Sequence, residues 1–370
     1  MSNEIYLNHA GTSWPKPMAV RTAVDEAMHC SPSEWSSRFE RAHRNIADFL
    51  GVRDHEQLLL TPGCTSALAV GLGDVDLGGR RRVLTSCWEH HALHRPLIKR
   101  AEAGLIVETI PACENEPLPL ETLEQLLSAG DVGLVAITAA SNVTGDRLPI
   151  TEAIGLAHRY GAQVMIDAAQ VVGWIDLDCD SLGADLVAFG GHKGLQGPWG
   201  IGGLYVSSTA RMTCASATCG VESRDSARPG YCDVGSVDQV ALAGLDAAVG
   251  WLRGLDAEAN QLRALNQIVR IESELRRIDG VRLYGATADR RMPSLAFTVD
   301  GFSSTRVAKE LAAVGVTVGS GFQCSPLGHT TLETDTDGVV RLSVGVDQAD
   351  GEIDAAIDRV VETITAIDCS

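Results

Sequence analysis

No apolar run in this chain approaches the ~18 residues needed to cross a membrane. The start Met1-Ser2-Asn3-Glu4-Ile5-Tyr6-Leu7 also lacks the basic residues and apolar stretch of a secretion signal. A cytoplasmic address with no membrane partner is therefore expected. Positive charge is short as well: 30 Lys and Arg stand against 48 Asp and Glu, a formal net charge of -18, and the densest basic run is Arg80-Arg81-Arg82. Binding a nucleic acid needs clustered cations, so no nucleic-acid partner is expected, and the acidity serves solubility. Ten cysteines are present, yet no CxxC pair or framework spacing. In a chain without a secretion signal they read as free thiols, most of them small core residues. Lysine is the rarest charged residue, with four in 370 positions.

What is abundant points to an α/β enzyme. A hydrophobic share of 45% with 38 glycines supplies ample core for one large domain and a smaller one. Strand-like runs at 57–60, 82–84, 106–110, 133–137, 164–166, 186–188 and 201–206 alternate with helix-like stretches, which predicts a mostly parallel seven-stranded sheet clothed in helices. Helical spacing is clear at 122–127, at 153–160 and through 237–277, where Leu242, Leu245, Val249 and Leu252 recur at intervals of three and four. From about Gly280 the pattern becomes strand (294–299), helix from Ser304, strand (314–318), irregular loop through Gly328, strand (339–344) and a closing helix from Asp350. This βαββα order suits a small C-terminal α+β domain. The expected division is 15–250 for the large domain and 251–370, with 1–14, for the small one. Residues 207–233 read as a long active-site or interface loop.

One of the four lysines is placed for chemistry. Lys193 lies in Phe189-Gly190-Gly191-His192-Lys193-Gly194, directly after a buried strand, among glycines that let a flat ligand approach. A partly desolvated ammonium has a lowered pKa and can form a Schiff base with an aldehyde, of which pyridoxal phosphate is the obvious example. The P-loop alternative fails because Gly, not Ser or Thr, follows the lysine. Asp167 ends an apolar strand about one crossover earlier, where α/β sheets bind ligands and where a carboxylate can keep a pyridine nitrogen protonated. Its commoner task would be to cap the next segment.

Two further pieces suit the same ligand. Thr61-Pro62-Gly63-Cys64-Thr65-Ser66 precedes an apolar helical stretch, so it offers backbone N–H groups and the Thr65 hydroxyl as a phosphate site, or an ordinary N-cap. Cys87-Trp88-Glu89-His90-His91 follows another strand. Zinc has no partner cluster there, so no metal is expected, whereas an imidazole at His90 stacked on the cofactor could shuttle a proton.

The ordered set Thr65, His90, Asn142, Asp167, Gln170 and Lys193 resembles the class V aminotransferase group of pyridoxal phosphate enzymes of fold type I, in particular the cysteine desulfurases. The likeness runs from Leu7-Asn8-His9-Ala10-Gly11-Thr12-Ser13-Trp14-Pro15-Lys16-Pro17 through Ser141-Asn142-Val143-Thr144-Gly145 and is sharpest at Gly191-His192-Lys193-Gly194-Leu195-Gln196-Gly197-Pro198. It implies that Lys193 carries the cofactor, Asp167 pairs with the ring nitrogen, His90 stacks, and Asn142 and Gln170 lie near the phenolic oxygen. Gly63, Cys64, Thr65 and His192 would hold the phosphate, joined by Ser236 from the neighbouring subunit of a homodimer. Asn8, Ala10, Asn142 and Arg341 would bind an amino-acid substrate, with Arg341 forking its α-carboxylate. Cys324 falls where desulfurases carry the nucleophile that accepts sulfur from cysteine, before passing it to a sulfur acceptor.

Three positions depart from the desulfurase pattern. Gly190 replaces a Ser or Thr, Gly319 replaces an arginine five residues before the cysteine, and Gln323 replaces a histidine. The expectation is carbon-sulfur cleavage, either of L-cysteine with Cys324 as nucleophile or of an S-substituted cysteine by β-elimination. An aminotransferase or epimerase is the lesser alternative, and a non-catalytic scaffold is disfavoured by the retained Lys193 and Asp167.

Overall fold

The computed structural model describes residues 4–112, 116–213, 238–285 and 290–367. A first short strand, Ile5–Leu7 (β1), lies apart from the central sheet. That sheet has seven strands: Leu58–Thr61 (β2), Arg82–Ser86 (β3), Ile106–Ile110 (β4), Val132–Thr138 (β5), Gln163–Asp167 (β6), Leu186–Gly190 (β7) and Gly202–Val206 (β8). The spatial order is β2-β8-β7-β6-β5-β3-β4. β7, β6, β5, β3 and β4 run parallel, while β8 is antiparallel to both its neighbours.

The alternation of side chains along each strand fills both faces of this sheet. Leu59, Leu134, Ala136, Met165, Leu186, Ala188 and Leu204 pack on one face, with Leu68, Leu72, Leu93 and Leu97 from the helices Cys64–Asp74 and His91–Glu102. Leu58, Leu60, Val135, Ile137, Val164, Ile166, Val187 and Phe189 join the larger core on the opposite face. Every residue of β5, β6 and β7 is buried, which explains why these segments read as continuous apolar runs.

The later part of the chain forms Val281–Tyr284 (β9), Ser294–Val299 (β10), Val316–Val318 (β11) and Val340–Ser343 (β12). β12, β10 and β9 make an antiparallel sheet, and β11 pairs in parallel with β1. The predicted strand-helix alternation is present, with two additions: β9, and a short helix at Pro326–Thr331 inside the segment read as an irregular loop. The long helical stretch is two helices, Gln239–Arg253 and Ala257–Leu275. Gly254 ends the first, and Asp256 starts the second by accepting the Ala259 N–H on its carboxylate at 3.0 Å. Most of the expected 207–233 loop lies outside the described residues. Among the described residues no helix is long and apolar enough to cross a membrane.

Candidate active site

Four consecutive parallel strands deliver the site at their carboxyl ends. His90 follows β3, Asn142 follows β5, Asp167 closes β6, and Lys193 follows β7. These line one cavity of about 500 Å³, together with Ala10, Gly63, Cys64, Thr65, Gln170, His192, Cys324 and Arg341. Of the residues named from the sequence, Asn8 reaches the site through its bond to Arg341, and Ser236 lies outside the described residues.

The lysine loop is seated by a close backbone crossing. A Cβ on Gly194 would lie 2.4 Å from the Val172 carbonyl oxygen, and one on Gly173, whose φ is +86°, would lie 2.4 Å from the Gly194 carbonyl carbon. Only glycine permits that approach. Burial lowers the Lys193 pKa, and the Asp167 carboxylate partly offsets this. Asp167 is itself held on Oδ1, which accepts the Ala169 N–H at 3.0 Å and the Cys64 thiol at 3.4 Å. The carboxylate therefore performs a local capping bond while facing the cavity.

At the end of the cavity where the sequence leads one to expect a phosphate, Gly63 rather than Thr65 is the residue that caps the helix Cys64–Asp74, and among the described residues no side chain accepts from its first-turn N–H groups. Those donors suit an anion. His90 starts the helix His91–Glu102 and accepts the Ala92 N–H on Nδ1 at 3.0 Å, so the neutral ring carries its proton on Nε2. Burial, then the charge of Lys193, lowers the His90 pKa to about 4. Gln170 donates to the Ala10 carbonyl at 3.2 Å.

On the opposite wall, Arg341 is 3% exposed and donates to the Asn142 carbonyl at 2.6 Å and to Asn8 Oδ1 at 2.7 Å. Its Nε is buried without a partner, and no described carboxylate stands within ion-pair distance. Burial lowers its pKa to about 10, a guanidinium held among neutral dipoles. An incoming carboxylate is the natural complement.

Cys324 is exposed and sits in the left-handed region with φ 59°, directly after Gln323 at φ 47°. Two consecutive non-glycine residues there are strained. The loop is pinned on both sides: Asn142 donates to the Gln323 carbonyl at 2.6 Å, and the His91 N–H to the Cys324 carbonyl at 2.7 Å. A thiolate at Cys324 would attract both Lys193 and Arg341.

A family model described as Aminotransferase class-V matches residues 6–356. The chain belongs to the class V aminotransferases. Among members of that family it is 31% identical to a cysteine desulfurase of Enterobacter sp., covering 82% of this chain and 77% of the relative. It is 30% identical to an IscS-like cysteine desulfurase of Mycobacterium tuberculosis, covering 95% and 94%. The solved structure of a cysteine desulfurase from Escherichia coli shares the fold, with a TM-score of 0.88 at 24% identity over 98% of this chain and 94% of that one. The fold is thus that of the pyridoxal phosphate enzymes of fold type I.

Sequence reasoning missed two groups in this class V site. Thr12, Ser13 and Lys16 gather on His192, and Glu89 is buried behind His90 with Ser86 and Thr138 donating to its Oε1. The Asn8–Pro17 motif could have signalled the first group, since it offers Thr, Ser and Lys within five residues. Among the described residues no three His, Cys, Asp or Glu side chains gather as a metal group.

Proposed function

We propose that this chain cleaves the carbon-sulfur bond of L-cysteine with pyridoxal phosphate, using Cys324 as the sulfur acceptor. The observation that carries the reading is the sharing of one cavity by Lys193, Arg341 and Cys324. The residues present fit the cofactor: a buried amine whose pKa burial lowers, a strand-end carboxylate, a helix start with no side-chain cap and an imidazole with Nε2–H. When bound, pyridoxal phosphate supplies the electron sink for negative charge developing at the substrate Cα.

The protein's own groups do the rest. Lys193 would hold the cofactor aldehyde, Asp167 the ring nitrogen, Asn142 and Gln170 the phenolic side, and Gly63, Cys64, Thr65 and His192 the phosphate. Arg341, steadied by Asn8 and Asn142, binds the α-carboxylate and so fixes which way the Cβ–S bond points. Lys193 moves the proton at Cα, and His90 Nε2 is the second proton carrier at the ring face. The Cys324 thiolate attacks the substrate sulfur; the new S–S bond forms as Cβ–S breaks, and the electron pair goes to the carbon side. Two protons then complete alanine, and Cys324 is left as a persulfide for a sulfur acceptor.

A second reading is β-elimination from an S-substituted cysteine, giving a thiol, pyruvate and ammonia. Gln323, Gly319 and Gly190 favour it, since they stand where desulfurases have a histidine, an arginine and a Ser or Thr. With either chemistry the proposal includes a homodimer completed by Ser236, a cytoplasmic address, and the division into 15–250 and 251–370 with 1–14. Product analysis of the cofactor-loaded enzyme separates the two. Alanine from L-cysteine, abolished in Cys324→Ala, supports desulfuration; pyruvate and thiol from S-alkyl cysteines, unaffected by Cys324→Ala, replaces it with elimination.

A further inference from the structure

We infer that Lys16 is a positioning residue for the cofactor's phosphate, anchoring His192 through its main-chain carbonyl and supplying the phosphate end with positive charge. The inference rests on the pyridoxal phosphate reading above. Lys16 belongs to the N-terminal segment that closes over the lysine loop. Its Nζ donates to the His192 carbonyl at 3.0 Å and to Ser13 Oγ at 2.7 Å. The Ser13 N–H reaches the same carbonyl at 2.9 Å. Thr12 Oγ1 lies 3.1 Å from that carbonyl and 3.1 Å from His192 Nδ1.

These bonds orient the peptide joining His192 to Lys193. They therefore aim both the imidazole and the catalytic amine.

The Nδ1 edge of the His192 ring meets Thr12, and the Cδ2 edge faces Gly190 and the start of the helix Cys64–Asp74. A Cβ at Gly190 would stand 3.5 Å from Cys64 Cβ, 3.8 Å from Cys64 N and 3.8 Å from His192 Cδ2. The imidazole edge and the uncapped helix start thus converge on one spot. Neither brings a full charge: burial, then Lys193 and Lys16, lower the His192 pKa to about 4 and keep it neutral at pH 7. Among the described residues lining the cavity the fixed cations are Lys193 and Arg341, which the proposed reading assigns to the cofactor aldehyde and the substrate carboxylate. In a chain of net charge -18, a phosphate dianion needs a nearby cation.

Lys16 meets that need. It is half-buried, and no described carboxylate lies within ion-pair distance of it. Its ammonium lies 5.3 Å from the centroid of the Trp199 ring, which in turn stacks on His192 at 6.5 Å. Burial lowers its pKa to about 8, so it is mostly charged at pH 7.

The test is equilibrium binding of pyridoxal phosphate and of phosphate-free pyridoxal to cofactor-free protein, in wild type, Lys16→Gln and Lys16→Arg. Gln keeps a donor for the His192 carbonyl but removes the charge. We expect Lys16→Gln to weaken pyridoxal phosphate roughly three- to tenfold, the scale of one partly screened charge, and pyridoxal hardly at all. The difference should shrink at high salt, and Lys16→Arg should restore it. Equal weakening of both ligands, or of neither, overturns the inference while leaving the cofactor reading standing. A wild type that binds pyridoxal as tightly as pyridoxal phosphate sinks both.

Discussion

Glu89 offers the sharpest test of the electrostatics beneath the site. It is 1% exposed, and its Oε1 accepts from the Ser86 hydroxyl at 2.5 Å, the Ser86 N–H at 3.3 Å and the Thr138 N–H at 3.2 Å, while Oε2 is buried without a partner. Burial raises its pKa from 4.5 to about 8 against the lowering effect of those donors. A carboxyl raised in the folded state favours folding fully below pH 4.5, and that contribution is lost as the pH climbs to 8. At ~1.4 kcal/mol per pKa unit the whole span is on the order of 5 kcal/mol, of which about 2.5 kcal/mol falls between pH 6 and pH 8.5. Glu89→Gln copies the protonated shape and cannot ionise. Its stability advantage over wild type, measured by urea unfolding, should therefore widen by roughly that 2.5 kcal/mol from pH 6 to pH 8.5. A gap that stays constant across this range would refute the reasoning, because Glu89 would then have the same proton affinity folded and unfolded.

Three other expectations follow from contacts at the site. Arg341→Met should raise KM for L-cysteine by roughly 100-fold or more, because a charge-assisted bidentate contact is lost, while the cofactor's visible spectrum stays unaltered. Gly190→Ser should be tolerated and should tighten pyridoxal phosphate binding by roughly two- to tenfold, since its Cβ would make only ordinary contacts and its hydroxyl would join the helix start as a donor; weaker binding would show that this space is already needed. Gly173→Ala should lower Tm and deplete bound cofactor, the cost being about 2 kcal/mol or more from a positive φ combined with a 2.4 Å approach to Gly194.

The parts of the site that sequence reading reached are those where one strand end presents one residue. β6 announces Asp167 and β7 announces Lys193, because continuous burial makes their apolar runs plain and the carboxyl end of a parallel strand is where ligands lie. The parts it missed depend on distant segments meeting. Glu89 looks like an ordinary loop acid until β3 and β5 are known to lie side by side, which places Ser86 and Thr138 around it. Lys16 looks like a surface lysine between two prolines until the segment is found folded over His192. Likewise β9 carries a half-buried pattern over only four residues, too short for its periodicity to distinguish strand from loop. The break at Gly254 is hidden in the sequence because apolar residues recur at helical spacing on both sides of it.

Two of the departures from the desulfurase pattern reduce to one structural fact. A Cβ at Gly319 would stand 2.9 Å from Asn8 Oδ1 and 3.3 Å from both amide atoms of Gln323. The room an arginine at 319 would need is therefore occupied by the Gln323 side chain, and its other neighbour is the residue that steadies Arg341. Adding a side chain at 319 alone must displace Asn8 or Gln323. Gly319→Arg should consequently raise KM through Arg341, and pairing it with Gln323→His changes the occupant of the contested space along with the newcomer. Neighbours sharing a space do not combine additively. The double variant should recover more activity toward L-cysteine than the two single effects predict. Strict additivity would mean that Gln323 and position 319 act separately, leaving Lys193 and Arg341 as the cations that serve Cys324 whichever residue stands beside them.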